Sequence, residues 1–363
     1  MTLPGRVNNF DLIRLFAAVQ VFIFHAQTQI SFFESSVVQS ILSYFPGVPI
    51  FLTISGFLIF WSFDRSPNLK FYFKNRILRI YPALWICMIL TTILLLSFCA
   101  LSWSQLFSSS YILYFFSRCS FLFIFSPSVV QFGVGNPNPV FWTIGLELQF
   151  YLVLPIIYWI IKGKALWLKN LILVVLAIFS YLCNQGLVPF FNFSEFNGYI
   201  QILLNEIKIH EFLFFFIGGM LLYLNFSYLN RFIKGKFIFY LVSYALYNFV
   251  LSQYTNNTFS SYSPNLYGLF GYIILMFAIV SGAYSKTEIS NKILKGNDYS
   301  YGIYIFHMLV MNSVSQLNLF SGIVNLIISV IVTGILAYLS WNFVEKKALS
   351  LKQYSIRDKL FTK

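Results

Sequence analysis

Few side chains in this sequence can do acid–base chemistry, and their positions are unusual. Only 3 His and 11 Asp and Glu occur in 363 residues. His25 lies 14 residues beyond Asp11 in the otherwise apolar run from Phe10 to Ala26. At 1.5 Å per residue, a helix carries it roughly 21 Å along its axis. An ionisable group that deep in a hydrocarbon layer is costly and is read as functional, unless it simply bonds to a neighbouring helix. Asp11 and Arg14 share a helical face at the entry end and can neutralise each other. Glu147 lies about one and a half turns into the apolar segment that opens at Phe141-Trp142-Thr143. Its depth matches that of His25 below the same surface, so the two are expected to pair. A carboxylate bonded to imidazole fixes its tautomer and stabilises its cation, which suits a general base. A structural buried pair would show the same pattern. His307 puts another imidazole near the middle of its segment, while His210 and Glu211 sit at the mouth of a segment containing Gly218-Gly219. No HExxH or paired-cysteine pattern accompanies these histidines, so structural or substrate-orienting roles are expected rather than metal ligation.

Apolar helices must hold these residues in place. The chain is 58% hydrophobic and 10% charged, with mean hydropathy +0.75, whereas soluble domains carry about 25% charged residues. These values predict an all-α polytopic membrane protein. Apolar segments fall at 10–30, 47–63, 81–103, 142–161, 167–184, 210–225, 237–253, 265–284, 299–317 and 322–344, a bundle of about ten transmembrane helices. The first is too long, and carries too much charge, for a cleavable signal. The aromatic stretch 109–126 is read as re-entrant or interfacial, because an eleventh span would invert every later loop. With this count, 21 of the 24 Lys and Arg fall on one side together with both termini. The positive-inside rule makes that side the cytoplasm. The same distribution accounts for the net charge of +13 without nucleic acid, for which no recognition motif is present. Cys87, Cys99, Cys119 and Cys183 lack metal spacing and read as packing residues.

Several stretches between these residues carry two readings each. Ser55-Gly56 in the second segment forms a small face, suited to close helix packing or to a ligand. Arg76 and Arg79 share a face if helical and can bind phosphates bidentately, or can face lipid headgroups. The segment 104–141 closes on the turn-rich Gly133–Pro139. The loop 252–264 is dense in hydroxyls, amides and aromatics, which suits sugar contacts and an ordinary polar loop equally. No internal repeat supports an inverted-repeat transporter.

The order of these features resembles the membrane-bound acyltransferase-3 family. Phe10-Asp11-Leu12-Ile13-Arg14 through His25, followed by Ser55-Gly56-Phe57, is similar to its opening. Arg76-Ile77-Leu78-Arg79-Ile80-Tyr81-Pro82 matches its RxxR segment, and Trp142-Thr143-Ile144-Gly145-Leu146-Glu147 with Gln149-Phe150-Tyr151 resembles its W-S-L-x-x-E-x-x-F-Y element. Ser300–His307 and Asn342-Phe343-Val344-Glu345-Lys346 resemble the closing motifs. The chain departs from the family in having Leu12 where Gly is frequent and Thr143 where Ser is usual. No soluble esterase-like domain is expected after the last helix, as in standalone bacterial polysaccharide O-acetyltransferases. The expected organisation is a membrane acyltransferase domain at 1–348 and a basic cytoplasmic tail at 349–363, in the bacterial cytoplasmic (inner) membrane.

The resemblance implies an acyl-CoA co-substrate, most simply acetyl-CoA, bound from the cytoplasm by Arg76 and Arg79 with help from Arg14, and no metal. A hydroxyl on a lipid-linked or growing polysaccharide (O-antigen, capsule or exopolysaccharide) would meet it from outside. His25 would act as general base, oriented by Glu147, or would itself take the acyl group in a covalent relay. Ser55, Gln149 and Tyr151 are the expected oxyanion donors, with Asp11 and His307 in support. Two other functions fit the same residues. One is an exporter handing acetyl to a separate external enzyme; the other is a non-catalytic membrane protein using His25 and Glu147 for packing.

Overall fold

The computed structural model describes residues 8–30, 44–120, 132–133, 135–188, 207–255, 265–317 and 322–352. Among these, every regular element is a helix. The long elements are α1 (Phe10–Ile30), α2 (Gly47–Arg65) and α3 (Leu69–Ser97); then, after short α4 (Trp103–Leu106) and α5 (Ser109–Arg118), α6 (Phe141–Ile161) and α7 (Leu166–Asn184). They continue with α8 (Ile209–Leu224), α9 (Phe226–Ile233), α10 (Phe237–Thr255) and α11 (Leu266–Tyr284). Short α12 (Ile289–Leu294) leads to α13 (Ser300–Leu317) and α14 (Gly322–Leu339), which passes through a π-helical turn (Ser340–Glu345) into α15 (Lys346–Ser350).

All ten apolar segments read from the sequence are helical, but fewer qualify as spans. Among the described residues, seven helices are long and apolar enough to cross a membrane, or eight if α8 and α9, bent by 91°, count as one. The shortfall has a physical cause at α13. Its polar residues Ser300, His307 and Asn312 are buried against protein, so its sequence need not be soluble in lipid. The third segment also begins earlier than expected: α3 starts at Leu69, where the Asn68 side chain accepts from the Phe71 N–H at 3.1 Å. Arg76 and Arg79 are therefore in that helix, ahead of Pro82. Of the stretch 109–126, α5 is a ten-residue helix with Tyr111, Tyr114 and Arg118 buried, and residues from 121 onward lie outside the described residues. So do residues 256–264 of the hydroxyl-rich loop and 353–363 of the tail. The boundary expected at 348 falls inside α15.

Packing centres on two sandwiches. Helix α8 lies between α2 and α7, α13 lies between α1 and α14, and α1 joins the two through α2. The glycine faces meet each other: a Cβ at Gly56 would lie 1.9 Å from the Phe216 carbonyl oxygen, and one at Gly219 would lie 2.1 Å from that of Thr53. Gly56 thus takes the packing role, while Ser55 turns towards an internal cavity. Gly56→Ala is expected to lose at least ~3 kcal/mol of stability, because backbone cannot yield as a side chain can. Gly334→Ala, inside α14 and with nothing within 4 Å of the added carbon, should instead gain up to ~1 kcal/mol from the better helix propensity of Ala. Thermal unfolding in detergent compares them. Asn9 fixes the start of α1: its amide donates to the Ser285 carbonyl at 2.8 Å and its Oδ1 accepts from the Ser290 N–H at 2.9 Å.

Candidate active site

A cavity of about 240 Å³ runs between α1, α2, α3, α6, α13 and the segment after α15. Helix direction orders its lining. Arg14 near the start of α1, Arg76 and Arg79 in the first part of α3, and Lys352 gather at one end. Ser55, Glu147 and Tyr151 form the wall, and Phe51, Thr143 and Tyr304 form the far end. There the Thr143 and Tyr304 hydroxyls are 2.6 Å apart and the Phe51 and Tyr304 rings are 5.5 Å apart.

The histidines lie just beyond that far end. His307 follows Tyr304 by one turn of α13, their rings 6.0 Å apart. His25 follows Arg14 by 11 residues on α1, three turns and roughly 16 Å along the same face. The two imidazoles stack, with His25 Nδ1 3.0 Å from His307 Nε2. His307 Nδ1 lies 2.7 Å from the Tyr304 carbonyl and 3.1 Å from that of Ile303. A carbonyl only accepts, so this pattern assigns the proton to His307 Nδ1 and leaves Nε2 to accept from the His25 Nδ1–H. The His25 Nε2 lone pair is then free of the pair and able to take a proton.

This arrangement changes several expected partnerships. His25 bonds to His307, not to Glu147, because α1 packs on α2 and α13. Equal depth does not make two helices neighbours. Glu147 Oε1 instead accepts from the Tyr151 hydroxyl at 2.5 Å and the Ser55 hydroxyl at 3.2 Å. Both hydroxyls are thereby engaged by Glu147. Gln149 is buried outside the lining, its Oε1 accepting from the Ile209 N–H at the start of α8 at 3.1 Å. Asp11 is 3.4 Å from Arg14, as its spacing predicts, but its side chain is 53% exposed and stands outside the cavity. His210 and Glu211 pair with each other at 3.7 Å, away from the cavity lining.

The two arginines of α3 share the cavity but differ in their surroundings. Arg79 is held by Asp298 at 2.5 Å and Glu345 at 3.6 Å, with the Tyr301 ring 5.7 Å away. Arg76 stands over the Tyr151 ring at 5.7 Å, and its buried Nε has no hydrogen-bond partner. Arg76 is available to a ligand, whereas Arg79 already has two carboxylates. Sequence reasoning missed Asp298, Tyr304 and Lys352. Asp298 and Tyr304 adjoin or lie within the Ser300–His307 motif, while Lys352 is indistinguishable in sequence from a topology-setting charge. Residues 135–139 are pinned to α13, since the Asn312 amide donates to the Asn136 carbonyl at 2.9 Å and that of Asn138 to the Ile305 carbonyl at 2.7 Å. That contact sets the start of α6, and with it Thr143, against Tyr304. Among the described residues, no three His, Cys, Asp or Glu side chains are grouped to hold a metal.

A bundle of apolar helices around a polar cavity, cationic at one end and ending beside an imidazole pair, defines a multi-pass membrane protein equipped for acid–base chemistry. The chain belongs to the acyltransferase family described as "Acyltransferase domain", which matches residues 7–342. It is 28% identical to Nodulation protein 10 of Rhizobium leguminosarum bv. viciae over 98% of this chain and 97% of that one. It is 26% identical to the O-acetyl transferase of Shigella phage Sf6 over 94% and 96% of the two chains. A shorter region, 35% of this chain and 21% of the other, is 28% identical to the peptidoglycan O-acetyltransferase OatA of Listeria monocytogenes. No solved structure matches the chain.

Proposed function

We propose that the protein transfers an acetyl group from cytoplasmic acetyl-CoA to a sugar hydroxyl of a bacterial surface polysaccharide across the cytoplasmic membrane. The observation that carries this reading is the placement of Arg14 and His25 on one face of α1, with cations at one end of the cavity and the histidine pair beyond the other. The positive-inside distribution supports a cytoplasmic position for the cationic end, on the side where the donor is made. The names of the Shigella phage Sf6 and Listeria monocytogenes relatives support acetyl as the group, and that of the latter, matched over 35% of this chain, supports a glycan as the acceptor.

In this mechanism the donor's phosphates stay at the cationic mouth while its thioester reaches towards Tyr304. His25 Nε2 removes the proton from the sugar hydroxyl as the oxygen attacks the thioester carbonyl. The tetrahedral intermediate then collapses, the ester forms, and the CoA thiolate leaves with the proton returned by His25. His307 keeps the His25 Nδ1–H engaged throughout, which orients the ring and stabilises the imidazolium. Glu147, tied to Ser55 and Tyr151, shapes the donor path.

Inverted membrane vesicles supplied with radiolabelled acetyl-CoA on their exposed cytoplasmic face test the reading. Label should appear in lipid-linked glycan, and label confined to the acetyl-CoA pool contradicts it. In the same assay, His307→Phe removes the acceptor for His25 Nδ1–H. It should lower kcat by ~10²-fold or more while leaving the KM for acetyl-CoA unchanged. It should also displace the pH–rate profile, a change that simple loss of folded protein does not produce.

A further inference from the structure

Lys352 counts in the sequence as one more cytoplasmic tail charge, but in the fold it lines the donor cavity beside Arg14 and Arg76. It follows α15, which packs against α3 and the π-helical turn, so the chain brings it back to the helix carrying Arg76. Among the described residues, no hydrogen bond or ion pair engages its ammonium. Four cations line this cavity and Glu147 is its only lining carboxylate. Arg79 is matched by Asp298 and Glu345 behind it, whereas Arg76 has a buried Nε with no partner. Arg14 is matched only by the half-exposed Asp11 at 3.4 Å, and Arg76 and Lys352 have no ion-pair partner among the described residues; cations converging in this way repel one another, and an anion between them relieves that repulsion. We propose that Lys352, two residues after α15, joins Arg14 and Arg76 as a phosphate ligand for the nucleotide end of the donor. This rests on the donor reading above.

The surroundings add a pH signature. Arg14 on α1, Arg76 and Arg79 on α3, Asp298 before α13, Glu345 in the π-helical turn, and Glu147 and Tyr151 on α6 all face this region. Burial, followed by the charges of Arg76, Arg79 and Arg14, pushes the Lys352 ammonium down to about 7. A bound phosphate favours the charged form, so binding at pH 7 takes up about half a proton, and affinity falls as pH rises above that value.

Calorimetry on the full chain in phosphatidylcholine nanodiscs, in two buffers of different ionisation heat at pH 7, tests this with coenzyme A and inorganic pyrophosphate as probes. Lys352→Gln should weaken coenzyme A by ~10-fold or more and abolish proton uptake. Lys352→Arg should keep most affinity without the uptake, and exposed Lys346→Gln should match wild type. Wild-type affinity and uptake in Lys352→Gln overturn the proposal while leaving the donor reading intact. Pyrophosphate binding that depends on Lys352, with no coenzyme A binding to wild type, supports the phosphate site and overturns the donor instead.

Discussion

His25→Ala is expected to lower acetyl transfer by ~10³-fold or more at equal folded abundance, with coenzyme A binding unchanged. The separation of effects follows from position. His25 is beyond Tyr304, outside the cavity lining, and three helical turns from Arg14, so its removal does not touch the cationic end. His25→Asn is the sharper variant. Its amide can still donate to His307 Nε2, which preserves the pair's hydrogen bond, but it carries no lone pair of imidazole basicity. Loss of rate in both variants assigns the chemistry to His25 Nε2. Retention of rate within about threefold in His25→Asn would mean that the ring serves only packing. Steady-state rates and calorimetric binding on the same preparations read both quantities.

Arg79→Ala should fail in a different way, as loss of folded protein. Asp298 is 11% and Glu345 2% exposed at the side chain, and Arg79 lies between them. Removing one partner of a buried charge cluster leaves unpaired carboxylates and costs ~3–5 kcal/mol. The triple variant Arg79→Met, Asp298→Asn, Glu345→Gln removes the charges together and should recover much of that loss, because neutral groups of similar size need no counter-charge. Arg76→Ala should remain folded and raise the KM for acetyl-CoA by ~10–100-fold, the effect of losing a charged hydrogen bond to phosphate. Thermal unfolding in detergent separates the two arginines. A normal unfolding temperature with raised KM in Arg79→Ala contradicts the structural assignment.

The contrast between these arginines shows where sequence reading stops. Their spacing of three placed both on one helical face, and both line the cavity. The occupancy of Arg79 depends on Asp298, 219 residues away, and on Glu345, and no local pattern joins them. Likewise the depth of His25 was legible from helix rise, but depth carries no information about azimuth. Glu147 had the right height on a helix that α1 does not principally contact, while His307 was assigned only a supporting part. Ser55-Gly56 was legible as a small face suited to close packing; that Gly56 and Gly219 pack into one crossing emerges only in three dimensions. Of the ten segments read from the sequence, α13 shows why length and apolarity alone do not identify every one as a span. A helix surrounded by protein can carry His307 and Asn312 and still occupy the bundle centre.

The most direct test of the central claim is mass spectrometry of the surface polysaccharide repeat unit from three strains: gene deleted, wild type restored, and His25→Ala restored at equal membrane abundance. One repeat-unit species heavier by an acetyl group is expected in the wild-type strain alone. An identical, unmodified repeat unit in all three strains, with intact protein in the membrane, would contradict the claim.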